Sequence, residues 1–166
     1  MDKFLFHLKQ KMKTKEQRGF TLLEMLIVIA IIGILSTVVI VAINPVHQIA
    51  KAHDTQRKSD IYSLLSAIYQ YSTEHNGALP DTDGNPLTSN FPTVSTCIGT
   101  QSPCFNLGNA GGSSSERIVP VYLPTMVKDP KTGTDQNTGY FIYVDAYNHL
   151  HASAVGEVEN PISIVR

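Results

Sequence analysis

The chain has 166 residues, of which 42% are hydrophobic and 16% charged, and its formal net charge at pH 7 is −1. These averages are typical of one small soluble domain, and they exclude collagen-like, low-complexity, polytopic membrane and strongly basic nucleic-acid-binding proteins. Both the basic and the apolar residues are nevertheless concentrated near the N-terminus. The N-terminal segment and the remainder of the chain must therefore have different surroundings.

Residues 1–19 form a basic leader. They contain six Lys or Arg residues and two acidic ones, a net charge of +4, whereas residues 20–166 carry a net charge of −5. In the segment that follows, residues 20–43, 19 of 24 residues are hydrophobic. As a helix this segment would extend about 36 Å, enough to cross a hydrocarbon core of about 30 Å. We therefore predict one transmembrane helix over residues 20–43.

The charge distribution also predicts the orientation of this helix. Because basic residues are retained on the cytoplasmic side, residues 1–19 are expected inside the cell and residues 44–166 outside the membrane. A buried helix of a soluble protein is a poor alternative, since the segment is apolar on all sides. A cleaved secretory signal is a second alternative, because Ala50-Lys51-Ala52 fits the pattern of its cleavage site. That site lies beyond Pro45, after an apolar segment longer than such signals have.

A single carboxylate, that of Glu24, lies at the fifth position of the apolar segment. A charge at the centre of a membrane helix costs about 2.5–3.5 kcal/mol, and less near the interface, so Glu24 needs a partner or a function. One reading is a carboxylate that reaches the interface. Another is that a cut after Gly19 creates an amine on Phe20, one helical turn away, which pairs with Glu24 of a neighbouring copy. Glu24 would then set the register between helices.

The N-terminal sequence resembles a known family. The string GFTLLEMLIVIAIIGIL, from Gly19 to Leu35, closely resembles the N-terminus of bacterial type IV prepilins and type II secretion pseudopilins, and the resemblance covers residues 15–45. It combines a basic leader, a glycine before the expected cut, a phenylalanine after it and a glutamate at the fifth mature position.

The resemblance implies how the chain is processed and assembled. The membrane prepilin peptidase would cut the Gly19–Phe20 bond at the cytoplasmic face and N-methylate Phe20. Glu24 would align each new subunit by meeting the Phe20 amine of a subunit already in the filament. Gly33 and Pro45 correspond to the helix-weakening positions of the family. Many pilins have a further proline in the membrane helix, and this chain has none between Gly33 and Pro45.

Residues 44–76 are predicted to form the amphipathic half of the same helix, with a bend at Pro45 and an end near Asn76-Gly77. Apolar side chains recur every three or four residues, which indicates one buried face. Charged residues lie between them and are expected on the other face: Lys51, Asp54, Arg57, Lys58 and Asp60.

Residues 77–117 are rich in Gly, Pro, Ser, Thr and Asn, and the resemblance implies that they form the variable loop between helix and sheet. Residues 118–166 are predicted to form an antiparallel sheet and a C-terminal tail, with strands at Ile118–Leu123, Gly139–Val144 and His149–Val155. The last two strands are expected to pair as a hairpin. The predicted fold class is α+β and pilin-like: a long N-terminal helix, half membrane-spanning and half amphipathic, packed on a small antiparallel sheet.

Cys97 and Cys104 lie in the part of the chain predicted to be outside the cytoplasm, where oxidation is permitted, so we predict a disulfide between them. A loop of this size contributes about 2.5 kcal/mol to the free energy of unfolding. A metal site is less well defined. Some major pseudopilins bind calcium in the distal loop, and Asp129 and Asp135 are weak candidates for such a site here. No other cofactor is expected.

Other candidate sites lack part of their motif. His149 and His151 would share one face of a strand, but two histidines without a third ligand are more often surface residues. The run Asp81-Thr82-Asp83-Gly84-Asn85 resembles the opening of a calcium-binding loop, yet Pro92 stands where a glutamate is required. The sequence contains no hydrolase, zinc-protease, Walker or dinucleotide-binding motif. We therefore expect a protein that is not an enzyme.

The function implied by the resemblance is structural. The chain is expected to be a pilin or pseudopilin that polymerises with copies of itself into a type IV pilus or a type II secretion pseudopilus. Its other expected partners are prepilin peptidase and an inner-membrane assembly platform with a separate ATPase. It would first cross the inner membrane once and then enter an extracellular or periplasmic filament.

A different class of function is also open: a membrane-anchored periplasmic binding or enzymatic domain that keeps its N-terminus and is not assembled. Nucleic-acid binding is not indicated, because the predicted head, residues 44–166, has no basic patch away from the membrane.

Overall fold

The computed structural model describes residues 19–84, 89–111 and 116–166. The predicted leader therefore lies outside the described residues, except for Gly19. The chain divides into two compact units, one ending at Asn44 and the other spanning Pro45–Arg166, and each is described by itself.

The first unit contains helix α1, Leu22–Ile43. Thr21 caps its start, because its backbone is extended and its hydroxyl accepts the N–H of Glu24 at 3.2 Å. No residue of α1 is buried within the chain, and the helix is long and apolar enough to cross a membrane. The hydroxyl groups of Ser36 and Thr37 donate to backbone carbonyls of the preceding turn, 2.7 Å in each case. Their polarity is thus satisfied inside the helix, as a lipid environment requires.

The second unit begins with helix α2, Pro45–Glu74. Asn44 precedes it in the left-handed conformation, with φ of 48°. The residue before a proline is disfavoured in the right-handed helical conformation, and asparagine tolerates the left-handed one. The chain after α2 turns through Asn76 and Gly77, both at positive φ, and the N–H of Gly77 donates to the carbonyl of Ser72 at 2.8 Å. This end agrees with the predicted stop near Asn76-Gly77.

The sheet has four antiparallel strands in the order β1-β2-β3-β4, with β1 at Thr96–Cys97, β2 at Tyr140–Val144, β3 at Leu150–Ala154 and β4 at Ile162–Val165. Strands β2 and β3 form the predicted hairpin. Strands β1 and β4 pair with its outer edges and were not predicted.

The predicted strand at Ile118–Leu123 is wrong. The structure has a single turn at Ile118–Tyr122, in which Val119 keeps extended dihedral angles. The N–H of Leu123 closes this turn by donating to the carbonyl of Ile118 at 2.8 Å. Pro120 has no N–H to give to a sheet. The N–H groups of Ile118 and Val119 donate instead to Ala110 and Leu107 of the preceding loop, at 2.9 and 3.2 Å. These apolar residues are therefore held by the loop rather than by a strand.

The hydrophobic core lies between one face of α2 and the inner face of the sheet. The α+β prediction, with an apolar N-terminal helix, a second helix and a small antiparallel sheet, is confirmed. The completely buried members of the hydrophobic core come from the helix, the strands and the loops alike: Ile61, Leu64, Leu65, Ile68, Ile98, Leu107, Ala110, Ile118, Tyr140 and Ile142.

A buried guanidinium joins α2 to two distant loops. Arg57 is 2% exposed, and it forms a bidentate pair with Asp129, with Nε to Oδ2 at 2.5 Å and Nη2 to Oδ1 at 3.2 Å. Its Nη1 donates to Asp54 at 2.8 Å and to Glu157 at 3.1 Å. The expectation that all the charged residues of α2 face solvent is therefore wrong for Asp54, Arg57 and Asp60, which are buried. They are buried because each finds hydrogen-bond partners inside the head.

The carboxylates of this cluster are held in the ionised form. Burial alone would raise the pKa of Asp54, but the N–H groups of residues 157–159 and the Arg57 guanidinium outweigh it and hold that pKa well below its ordinary value of 3.8. Burial and Arg57 have the same opposing effects on Asp129, whose pKa is also lowered. Lys131 and then His53 lower the pKa of the more exposed Glu157 to about 2.

We expect Arg57→Met to lower the free energy of unfolding by about 3–5 kcal/mol, because it leaves Asp54 and Asp129 buried without their cation. Lys58→Met is the matched control. Lys58 pairs with Glu159 at 2.6 Å but is 43% exposed, so its loss should lower the free energy of unfolding far less than the loss of Arg57. The chain has seven Tyr and no Trp, so urea unfolding of the full chain in detergent can be followed by tyrosine fluorescence. Equal losses in the two variants would contradict the assigned role of Arg57.

Acid should destabilise the head in a defined pH range. Because the pKa values of Asp54 and Asp129 are lower in the folded chain, the unfolded chain binds more protons on acidification. Their stabilisation is complete above the ordinary carboxyl range, and it decreases progressively as the pH falls below about 5. We expect the unfolding free energy to be level from about pH 7 to 5 and to fall below that, with a shallower fall in Asp54→Asn. An identical acid slope in that variant would exclude Asp54 as a contributor.

Candidate processing and assembly site

The predicted cleavage bond lies immediately before α1. Gly19, Phe20 and Thr21 are not helical, and the side chain of Phe20 is 74% exposed. A Cβ added to Gly19 would meet no atom within 4 Å, so the packing of this chain does not itself require glycine there. Both residues of the predicted bond, Gly19 and Phe20, are exposed in the part of the chain that the structure describes.

Glu24 occupies the third position of α1, in its first turn. Thr21 and Glu24 have the spacing of a capping box, and the hydroxyl of Thr21 accepts the N–H of Glu24. A carboxylate in the first turn is also favoured by the positive end of the helix dipole. The start of α1 therefore fixes Glu24 at one turn from Phe20, with its side chain exposed.

The two positions predicted to weaken the helix have different surroundings. Gly33 lies inside the uninterrupted α1, where an added Cβ would have no atom within 4 Å. Pro45 is the first residue of α2, a position that proline tolerates because the N–H there has no helical acceptor. The predicted continuous helix with a bend at Pro45 is instead two helices separated at Asn44.

The other predicted site residues lie in the head. Cys97 and Cys104 are joined by a disulfide. The N–H of Phe105 also donates to the carbonyl of Cys97 at 2.7 Å, and the N–H of Gly99 donates to the carbonyl of Phe105 at 3.1 Å. These bonds order a loop whose composition alone indicated little regular structure.

The two weak calcium candidates each have a cation of the protein beside them. Asp129 is paired with Arg57, and its Oδ1 also accepts the N–H groups of Lys131 and Thr132, both at 2.9 Å. Asp135 forms an exposed ion pair with Lys128 at 2.7 Å. Over the described ranges, no group of three or more His, Cys, Asp or Glu side chains could hold a metal ion. The contacts of Asp129 and Asp135 therefore lend the calcium prediction no support.

The buried ion-pair residue that the sequence did not single out is Arg57. Its two main partners lie on either side of it at very different distances along the chain, Asp54 three residues before and Asp129 72 residues after. An arginine at a helical spacing from apolar residues is the one available signal, and most such residues lie at the surface.

Comparison with known proteins adds independent observations. Residues 14–40 match the model of the family described as "Prokaryotic N-terminal methylation motif". The chain is also similar to type II secretion system core protein G of several bacteria. It is 38% identical to that of Pectobacterium carotovorum subsp. carotovorum over 47% of this chain and 49% of the relative. It is 35% identical to that of Aeromonas hydrophila over 50% and 57%, respectively.

These similarities cover only part of each protein, since the chain spans about half the length of the curated relatives it matches. No solved structure matches the chain. The methylation motif covers Gly19, Phe20 and Glu24 and most of α1, the candidate membrane helix of the described residues. The matches, together with this apolar N-terminal helix, confirm the resemblance of the chain to the bacterial type IV prepilin and type II secretion pseudopilin family.

Proposed function

We propose that this chain is a structural subunit, a pilin or pseudopilin, that prepilin peptidase processes at Gly19–Phe20 before it polymerises into a filament. The observation that carries the proposal is α1 itself. This helix is apolar on all sides, none of its residues is buried within the chain, and it begins directly after an accessible Gly-Phe bond.

The apolar surface of α1 needs a cover that the chain does not supply. In a membrane the lipid supplies it. When a subunit leaves the membrane, the α1 helices of other copies are the cover that keeps this surface from water, because burial of apolar area is favourable and non-directional. A bundle of α1 helices with the polar heads outside therefore accounts for both environments of one helix.

Glu24 gives this apolar packing a defined register. A carboxylate among apolar helices is unfavourable by about 2.5–3.5 kcal/mol at full depth. An amine at 4 Å contributes about 4 kcal/mol at an effective dielectric constant of about 20, enough to offset that cost. Cleavage after Gly19 would supply such an amine on Phe20, and N-methylation would leave it cationic. Only one stagger of neighbouring helices then brings the two groups together.

The remaining parts of the proposal concern location and partners. The net charge of +4 on residues 1–19 favours a cytoplasmic N-terminus, with the head outside the inner membrane. Extrusion of a filament requires an inner-membrane platform and an ATPase, since this subunit has no nucleotide-binding motif of its own. The name of the relatives favours a secretion pseudopilus over a surface pilus. We also propose that the subunit is not an enzyme.

The mature protein should begin at Phe20. We expect mass spectrometry of the chain from its native membrane to show the 147 residues from Phe20 to Arg166 with one N-terminal methyl group. The matched control is the same chain from cells that lack prepilin peptidase, which should retain residues 1–19. An N-terminus at Met1 in the native membrane would instead support an anchored domain that is not assembled.

Glu24→Val should separate membrane insertion from assembly. The variant removes the one charge of α1, so insertion should be unchanged or improved, whereas incorporation into sheared filaments should fall at least about tenfold because the Phe20 amine loses its partner. Thr37→Val is the matched control, since it also removes a polar group from α1 but one already bonded within the helix. Normal filaments from Glu24→Val would remove Glu24 from this role.

A further inference from the structure

The first turns of α2 lie outside the packed core of the head. The side chains from Pro45 to Ile49 are all exposed, and the first buried residue of the helix is Asp54. Val46 is 76% exposed and Ile49 is 56% exposed. Two large aliphatic side chains, one helical turn apart, are therefore left largely uncovered by the residues that the structure describes.

The same short segment is amphipathic. At 3.6 residues per turn, Val46 and Ile49 project from one side of the helix, whereas Gln48 and Lys51 project from the opposite side. A helical segment with aliphatic side chains on one face and polar or cationic ones on the other is typical of helices that lie in a membrane interface.

Chain connectivity holds this segment near the end of the candidate membrane helix. Helix α1 ends at Ile43, and Asn44 alone separates it from Pro45. Since consecutive Cα atoms are about 3.8 Å apart, the Cα of Val46 lies within about 11 Å of that of Ile43. The 22 residues of α1 extend about 33 Å, slightly more than the hydrocarbon core of about 30 Å, and the headgroup layer adds about 5–7 Å on each side. With α1 across the membrane, Val46 is in or beside the headgroup layer.

The segment carries a positive charge and no negative one. Residues 45–51 include Lys51 and no Asp or Glu. Lys51 is exposed, and within the described ranges its ammonium group has no ion-pair partner. Packing of this segment on the same segment of a second copy would bring two lysines together with no carboxylate between them. Lipid phosphates supply the missing negative charge, which favours a phospholipid surface as the partner.

We propose that residues 45–51, the juxtamembrane segment, bind the phospholipid interface next to the end of α1. Val46 and Ile49 contact the upper part of the acyl chains, and Lys51 reaches the lipid phosphates along its own aliphatic stem. This contact belongs to the subunit in the membrane. It requires α1 to cross the membrane, but it requires neither cleavage at Gly19 nor assembly into a filament.

The chain contains no Trp, so a single introduced Trp reports the surroundings of one position. Val46→Trp places the fluorophore on the proposed lipid face, and Gln48→Trp is the matched control on the opposite face. Ser63→Trp is the aqueous reference, exposed on α2 about 25 Å further along the helix. The preference of Trp itself for interfaces is common to all three variants. Each full-length variant is reconstituted at low density into phosphatidylcholine vesicles that contain lipid brominated near the headgroup.

We expect the brominated lipid to quench Val46→Trp at least about twice as strongly as Gln48→Trp, and to leave Ser63→Trp unquenched. Acrylamide, which quenches from water, should give the reverse order. Equal lipid quenching of Val46→Trp and Gln48→Trp would overturn the proposal, because the segment would then have no lipid face. Protection of Val46→Trp from acrylamide without quenching by lipid would also overturn it, since another copy of the chain would then be the cover.

Lys51→Gln tests the phosphate contact separately. In the Val46→Trp chain, brominated phosphatidylglycerol should be preferred over brominated phosphatidylcholine by up to about fivefold, the effect of one lysine at an anionic surface. Lys51→Gln should abolish that preference. Lys58→Gln is the matched control and should keep it, because Lys58 pairs with Glu159 of the head at 2.6 Å. A preference that survives Lys51→Gln would overturn the contact between Lys51 and the phosphates.

Discussion

The head of this protein depends on a positive charge that has been taken out of water. A guanidinium can be buried only if its donors are satisfied by ionised or polar acceptors, since an unpaired buried charge is very unfavourable. Arg57 meets this condition with Asp54 on its own helix, Asp129 in one loop and Glu157 in another. Asp54 in turn accepts three consecutive N–H groups, those of residues 157–159. The cluster therefore fixes where two irregular segments cross α2, a geometry that apolar contacts alone would leave undefined.

The two units differ in whether their apolar side chains are buried within the chain. The second unit buries its apolar side chains between α2 and the sheet, and it uses the Arg57 cluster and the Cys97–Cys104 disulfide to hold loops of polar composition against that core. The first unit buries none of α1. A helix with this composition is stable only in lipid or among other apolar helices, so α1 needs a cover that the rest of the chain does not supply. In the proposed filament, the α1 helices of other copies would supply that cover and Glu24 would set their register.

The accuracy of the sequence-based predictions followed the range of the interactions concerned. Strands β2 and β3 were predicted because alternate residues such as Tyr140 and Ile142 are buried along a local period of two. Strand β1 has two residues, too few to show any period. The apolar run Ile118–Leu123 was predicted to be a strand, but the N–H groups of Ile118 and Val119 donate to carbonyls of a loop. Pro120 has no N–H for sheet pairing. His149 and His151 were recognised as a pair, but only the turn geometry brings Asp145 to both.

The sequence by itself determined the apolar helix within residues 20–43 and the position of Glu24 about one turn from Phe20. A membrane helix depends on the composition of one contiguous segment and on a uniform solvent, so 24 contiguous residues contain all the necessary information. The tertiary structure alone decided that Arg57 is buried and which carboxylates surround it. Its partners Asp129 and Glu157 are 72 and 100 residues away, and nothing in a local pattern specifies which distant loop will bring a carboxylate to a helix.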